Sequence, residues 1–203
     1  PVASMTRPTD SIEDKAGTIG QLMPHVEARI VDPETNEAVP VGVVGEFVTR
    51  GYHLMHGYFE MPEQTAETID ADGWLHTGDL AAMDERGYVT IEGRLKDIII
   101  RGGENIYPKE LEELLFAHDT VGEVAVVGLP DEKWGEIVAA FVRPTPGYDI
   151  DKNELFAYMR EHLASHKTPR QWFEVKEFPL TGSGKIQKFK LRDQWVNGEW
   201  HEL

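Results

Sequence analysis

Cysteine is absent from the 203 residues. Disulfides, thiolate metal sites and a cysteine nucleophile are therefore excluded. The absence fits a reducing compartment, and a cytoplasmic location is expected. Long apolar runs are also missing. The longest are short, such as Ile98-Ile99-Ile100 and Val124-Ala125-Val126-Val127. A membrane helix needs ~18–20 apolar residues, so no transmembrane segment is expected. Basic charge is scarce, with 20 Lys and Arg against 36 Asp and Glu and a net charge of −16. A surface of that sign repels phosphate backbones, so no nucleic acid partner is expected. An initiator Met and a signal-peptide pattern are lacking too: the chain opens Pro1-Val2-Ala3-Ser4, which reads as a fragment of a longer protein.

What is present suffices for a core. The hydrophobic fraction of 40% together with 19 glycines lies in the globular range, and the length suits one large domain or two small ones. Residues 1–94 read as β-rich. Val26-Glu27-Ala28-Arg29-Ile30 alternates apolar and polar, the mark of a half-buried strand. A turn follows at 33–36 and a strand at 43–49. Segments 80–83 and 88–91 flank Asp84-Glu85-Arg86-Gly87 as a hairpin. Short strands punctuated by Gly and Pro suggest a small barrel or sandwich, a β-barrel-like lobe. Residues 98–203 change character. Pro108 opens a helix whose Leu111, Leu114 and Leu115 share one face. Strands are predicted at 123–127, 137–142 and 173–175. Asp151 with Glu154 reads as a capping box before a second helix, and 186–196 ends in a third. The fold class is α+β, a β-barrel-like lobe followed by a small α+β domain. Gly93-Arg94-Leu95-Lys96-Asp97, glycine and charge between apolar strands, reads as a hinge.

Three short motifs offer chemistry. Pro179-Leu180-Thr181-Gly182-Ser183-Gly184-Lys185 is glycine-rich before a lysine, yet a phosphate-cradling loop needs Gly at 179 and Ser or Thr at 186. It fails at both, leaving a flexible loop that presents one ammonium, either to developing negative charge or simply to solvent. In Trp74-Leu75-His76-Thr77-Gly78-Asp79 a carboxylate follows a Thr-Gly turn. It can accept two ribose hydroxyls or cap its own backbone. Arg101-Gly102-Gly103-Glu104-Asn105 permits close backbone approach or forms a plain hairpin turn. The run 185–192 holds four basic residues and no acidic one, suited to a small anion or to a solvated helix face. His53, His56 and His76 have no metal-ligand spacing, so no metal site is expected. No Ser-His-Asp arrangement emerges.

Order and spacing say more than any motif alone. Gly45-Glu46 and Gly57-Tyr58 precede Trp74 and Thr77-Gly78-Asp79. Then come Gly93-Arg94-Leu95-Lys96-Asp97, Gly102-Gly103-Glu104-Asn105-Ile106-Tyr107-Pro108 and Pro179 with Gly184-Lys185. Over essentially its whole length the chain resembles the C-terminal part of the acyl-adenylate-forming superfamily, most of all medium-chain or general fatty acyl-CoA synthetases. The resemblance implies an ATP-dependent carboxylate–CoA ligase. A fatty acid attacks ATP to give acyl-AMP and pyrophosphate with Mg2+ support, and the CoA thiol then displaces AMP. It implies that Asp79 and Arg94 bind the ribose of AMP, that Lys96 is the hinge, that Lys185 stabilises the adenylation step, and that Gly102 and Gly103 line the CoA path. Residues 1–94 would then be a lobe of the N-terminal adenylation domain, 95–97 the hinge and 98–203 a mobile lid. The family's phosphate loop, adenine motif, acyl pocket and most Mg2+ contacts are not in these residues, so the fragment alone is expected to be inactive. Two alternatives remain open: a CoA- or protein-binding regulatory module, or a ligase acting on an aromatic acid or a carrier-protein thiol. The Pro179 to Lys185 context also implies a lysine acetyltransferase acting on Lys185.

Overall fold

The computed structural model describes residues 2–203. They form two compact units, one ending at Lys96 and the other spanning Asp97–Leu203. No helix among them is long and apolar enough to cross a membrane.

The first unit contains β1 (Ser4–Met5), α1 (Ile12–Gly17), β2 (Gln21–Leu22), β3 (Val26–Val31), β4 (Gly45–Gly51), α2 (Pro62–Thr68), β5 (Leu75–Met83) and β6 (Val89–Arg94). Its main sheet is antiparallel in the order β3-β4-β5-β6, with β1 and β2 paired separately. The alternation in β3 does what period two dictates: Val26 and Ile30 are buried while Glu27 and Arg29 face out. One face packs Ile30, Phe47, Ala81 and Val89 together. Elsewhere Trp74 is buried with Val31 and Val48, and the Arg29 and Arg50 guanidiniums lie over its ring at 3.7 and 4.5 Å. The sheet is not a closed barrel. The four strands form an open path with β3 and β6 as its ends, whereas a barrel requires its first and last strands to pair.

A single 3-10 turn, Leu95–Asp97, follows β6. The second unit then has β7 (Ile99–Arg101), β8 (Glu104–Ile106), α3 (Pro108–Phe116), β9 (Val121–Asp131), β10 (Gly135–Pro144), α4 (Lys152–His162), β11 (Gln171–Glu174) and α5 (Lys188–Val196). β9 and β10 form a long antiparallel hairpin, and β11 joins β10 in parallel. Both faces of this sheet are covered, which is why its strands read as continuous apolar runs. Val126, Val138, Ala140 and Val142 meet Leu111 and Leu115 of α3 and Leu155 and Met159 of α4. The alternate residues Ala125, Val127, Ala139 and Phe141 meet Phe173, Phe178 and Leu191 of α5.

Local signals start the helices. Pro108 occupies the first position of α3. The Asp151 carboxylate caps α4 by accepting from the amides of Asn153 and Glu154 at 2.8 and 3.4 Å. The capping box is only half made, because the Glu154 carboxylate lies towards His118, at 3.7 Å. β9 is an edge strand. The Glu112 carboxylate of α3 accepts from the Val126 amide there at 2.7 Å and pairs with Lys188 at 2.6 Å. That covers a backbone group which would otherwise invite pairing with another chain.

Candidate functional site

In the first unit the site is built on two irregularities of the sheet. Glu46 pairs with Leu80 and Val48 with His76. β4 therefore supplies one residue, Phe47, where β5 supplies Thr77, Gly78 and Asp79. The unpaired groups of such a bulge need other partners. Thr77 Oγ1 donates to the Phe47 carbonyl at 2.6 Å and accepts from the Asp79 amide at 3.0 Å. The Gly78 amide donates to Glu46 Oε1 at 2.9 Å. Gly78 has φ +67°, a left-handed conformation that glycine adopts without a Cβ clash. A second shift, between Leu80 and Ala81, sets Asp79 directly opposite Arg94. Arg94 Nε lies 2.7 Å from Asp79 Oδ1. Asp79 thus sits inside β5 with its carboxylate on a cross-strand guanidinium.

Glu46, which the motif order names beside Gly45 without a role, is a further functional candidate. It is 5% exposed, with Oε2 2.8 Å from His76 Nδ1. The available signal was Gly78 within a strand pattern, which points to a bulge; its acceptor, 32 positions away, had no local sign. The other histidines do different things. His53 is buried against Thr49 Oγ1 at 3.1 Å, and burial pushes its imidazole below the usual range. His56 borders an open depression of about 550 Å³ with Tyr58, Met61, Thr65 and Ile69. No group of three or more His, Asp or Glu side chains that could hold a metal gathers among the described residues.

In the second unit the glycine pair forms the two-residue turn between β7 and β8. Gly102 and Gly103 have φ +61° and +87°, the handedness a tight hairpin needs. The Gly102 amide donates to the Trp134 carbonyl at 2.8 Å. A Cβ on Gly102 would lie 2.9 Å from the Trp134 ring, while one on Gly103 would meet nothing within 4 Å. The Arg101 guanidinium and Lys133 ammonium lie 4.6 and 4.8 Å from the Trp134 ring centre.

The lysine loop is not loose. The Thr181 amide donates to the Lys185 carbonyl at 2.8 Å and the Gly184 amide to the Thr181 carbonyl at 2.9 Å. Thr181 Oγ1 accepts from the Lys185 amide at 3.0 Å, and Leu180 bridges Ile186. The flexible loop expected from glycine content is a hydrogen-bonded turn. Its end at Ile186 packs into the α5-side core, whereas Ile99 and Ile106 of the Gly-Gly hairpin pack into the α3–α4 core. Lys185 is exposed. Of the rest of the basic run, Lys188 and Arg192 are engaged by Glu112 and Glu136 at 2.6 and 3.0 Å. The run is therefore neither an open anion patch nor a wholly solvated face. Lys96 is exposed within the Leu95–Asp97 turn. The structure thus brings Asp79 to Arg94 and leaves Lys185 and the glycine pair on separate turns.

Residues 110–185 match the family described as AMP-binding enzyme C-terminal domain, and residues 1–59 that described as AMP-binding enzyme. The chain is 49% identical over 196 residues to YngI of Bacillus subtilis, named as an acyl-CoA synthetase, across 97% of the chain and 36% of YngI. It is 48% identical over 194 residues to the mitochondrial medium-chain acyl-CoA ligase ACSF2 of Mus musculus, across 96% of the chain and 32% of that protein. Among solved structures, o-succinylbenzoate CoA synthetase (MenE) of Bacillus subtilis, in complex with its acyl-adenylate intermediate OSB-AMP, superposes with a TM-score of 0.84 at 32% identity. That match covers 94% of this chain and 38% of MenE. The chain spans about a third of the length of the curated relatives it matches.

Proposed function

The chain belongs to the AMP-binding enzyme family, and from that premise we propose that it is the C-terminal part of an ATP-dependent carboxylate–CoA ligase acting on aliphatic acids. In the first step an oxygen of the acid attacks the α-phosphorus of ATP and the bond to pyrophosphate breaks, giving acyl-AMP. In the second the CoA sulfur attacks the acyl carbonyl and AMP leaves with the bonding electrons. The aliphatic preference is drawn from ACSF2, named as a medium-chain acyl-CoA ligase and 48% identical, against 32% for the o-succinylbenzoate CoA synthetase MenE.

The Asp79–Arg94 pair carries the proposal. A carboxylate held by a guanidinium at 2.7 Å is oriented to accept hydroxyl donors. A ribose presents two such donors side by side. Arg94 adds a cation beside the same sugar, and Lys96 in the following turn is the hinge. Lys185 answers the charge that develops as pyrophosphate leaves, since phosphoryl-type transfers are accelerated mainly by positioning and electrostatics. The Gly102-Gly103 turn lines the pantetheine path, and the open side of Gly103 suits that use. The two turns serve alternate steps. Exposed Lys185 is also the side chain a lysine acetyltransferase would reach, and acetylation would remove its charge. The 203 residues alone are proposed to be inert.

Half-reactions in the full-length ligase test this reading. Lys185→Ala is expected to lower pyrophosphate release without CoA by ~10²–10³, the scale for losing one transition-state contact, and to spare thioester formation from supplied acyl-AMP. Gly103→Leu is expected to do the reverse. Equal loss of both steps in both folded variants would overturn it.

A further inference from the structure

We propose that Glu46 is a positioning residue for nucleotide recognition: its buried carboxylate sets the bulge that presents Asp79 to a ribose. This rests on the ribose-binding reading of Asp79 and goes beyond it in naming what aims that carboxylate.

The geometry points to Glu46 for three reasons. It stands opposite Leu80, the residue immediately after Asp79, so it borders the bulge at its far end. Its two oxygens reach back to the near end and into the middle, Oε2 lying 2.8 Å from His76 Nδ1 and Oε1 taking the Gly78 amide at 2.9 Å. One side chain therefore ties together His76 and Gly78, and Asp79 lies between Gly78 and the Leu80 opposite Glu46. It is also 5% exposed, so water cannot readily replace either bond, and an unsatisfied Gly78 amide there is costly.

The rest of the bulge cannot do this work. Thr77 Oγ1 spans only from the Phe47 carbonyl to the Asp79 amide. Gly78, at φ +67°, has no side chain with which to resist rotation of its own peptide. Without Glu46 the 77–79 segment keeps its strand ends but loses the bond that fixes its middle. Asp79 then keeps its charge but not its angle to Arg94 and to a sugar.

Three substitutions separate positioning from mere support. Glu46→Ala removes both bonds. Glu46→Asp keeps a buried carboxylate one methylene too short to span both partners. Glu46→Gln keeps the length: its amide oxygen still accepts from Gly78, and its NH2 can donate to His76 Nδ1. In the full-length ligase the readout is kcat/KM for ATP divided by that for 2′,3′-dideoxyATP, measured as pyrophosphate release. Asp79→Asn serves as calibration and is expected to collapse this ratio. Glu46→Ala and Glu46→Asp are expected to lower it by about tenfold or more, the scale of one displaced hydrogen bond to a charged group. The dideoxyATP rate should change little, and Glu46→Gln should stay within about threefold of the parent. A loss of folded protein would lower both rates together and leave the ratio intact. If Asp79→Asn collapses the ratio and folded Glu46→Asp keeps it at the parent's value, Glu46 does not position Asp79, and the ribose reading stands. If Asp79→Asn also leaves it unchanged, the ribose reading fails and this inference fails with it. Should Glu46→Ala not fold, the Asp and Gln variants decide the matter alone.

Discussion

His53 is 8% exposed, lies 3.1 Å from Thr49 Oγ1 and edge-on to the Tyr52 ring, and its Nδ1 has no hydrogen-bond partner among the described residues. Burial disfavours the imidazolium and lowers its pKa from the ordinary 6.5. The unfolded chain then takes up this proton first as pH falls. The stability contributed by neutral His53 is full above about 6.5, declines as pH drops below it, and levels off once the folded form also protonates. Several carboxylates are lowered too: Asp14 by hydrogen bonding to Arg86, Glu27 by hydrogen bonding to Arg50, and Asp32 by the amides of Thr35 and Glu34. Their contribution holds above the ordinary carboxylate values and is lost only in stronger acid, so the two windows are separate. Urea melts between pH 8 and pH 5.5 should show stability falling with pH, and His53→Asn should flatten that fall. An unchanged slope in the variant would assign the effect to another group.

The β7–β8 hairpin shows how one element holds two glycines to different standards. Both have left-handed backbones, which costs an L-residue about 1–2 kcal/mol. Only Gly102 also faces the Trp134 ring, 2.9 Å from where a Cβ would sit. The Trp134 backbone is held by the Asp131 carboxylate, which accepts from its amide at 2.8 Å, so relief requires the ring to turn away from the Arg101 and Lys133 cations beside it. Gly102→Ala should therefore destabilise the protein more than Gly103→Ala, read as the difference in unfolding midpoints. Equal losses would mean that backbone strain alone governs the turn. The same contrast makes Gly103 the better place to test the proposed CoA path without unfolding the hairpin.

Across the whole molecule the division into two units, meeting at Lys96 and Asp97, puts an exposed lysine in a single 3-10 turn between two separately cored sheets. A turn of three residues has few backbone bonds to resist opening. Brief trypsin treatment should cut after Lys96 and leave two resistant pieces, each roughly half the chain, as exposed linkers between compact domains do. Persistence of the intact chain while other sites are cut would argue against a hinge there. The net charge of −16 keeps both pieces soluble enough to be followed by mass.

Much of this protein was legible locally. Alternation placed β3, the Leu111–Leu115 spacing with Pro108 placed α3, and Asp151 placed α4, because a strand's face, a helix's stripe and a cap are all set by residues within a few positions of one another. Motif order carried Asp79, Arg94, Lys96, Gly102, Gly103 and Lys185 into the candidate site, each by its own local surroundings. Tertiary structure alone decided the rest. That the sheet stays open, that Lys188 and Arg192 are spent on Glu112 and Glu136, and that Glu46 holds Gly78 from 32 residues away are matters of register and burial. Each depends on which distant strand or helix arrives opposite. Local periodicity shows which face a residue takes, and only the folded chain determines what that face meets.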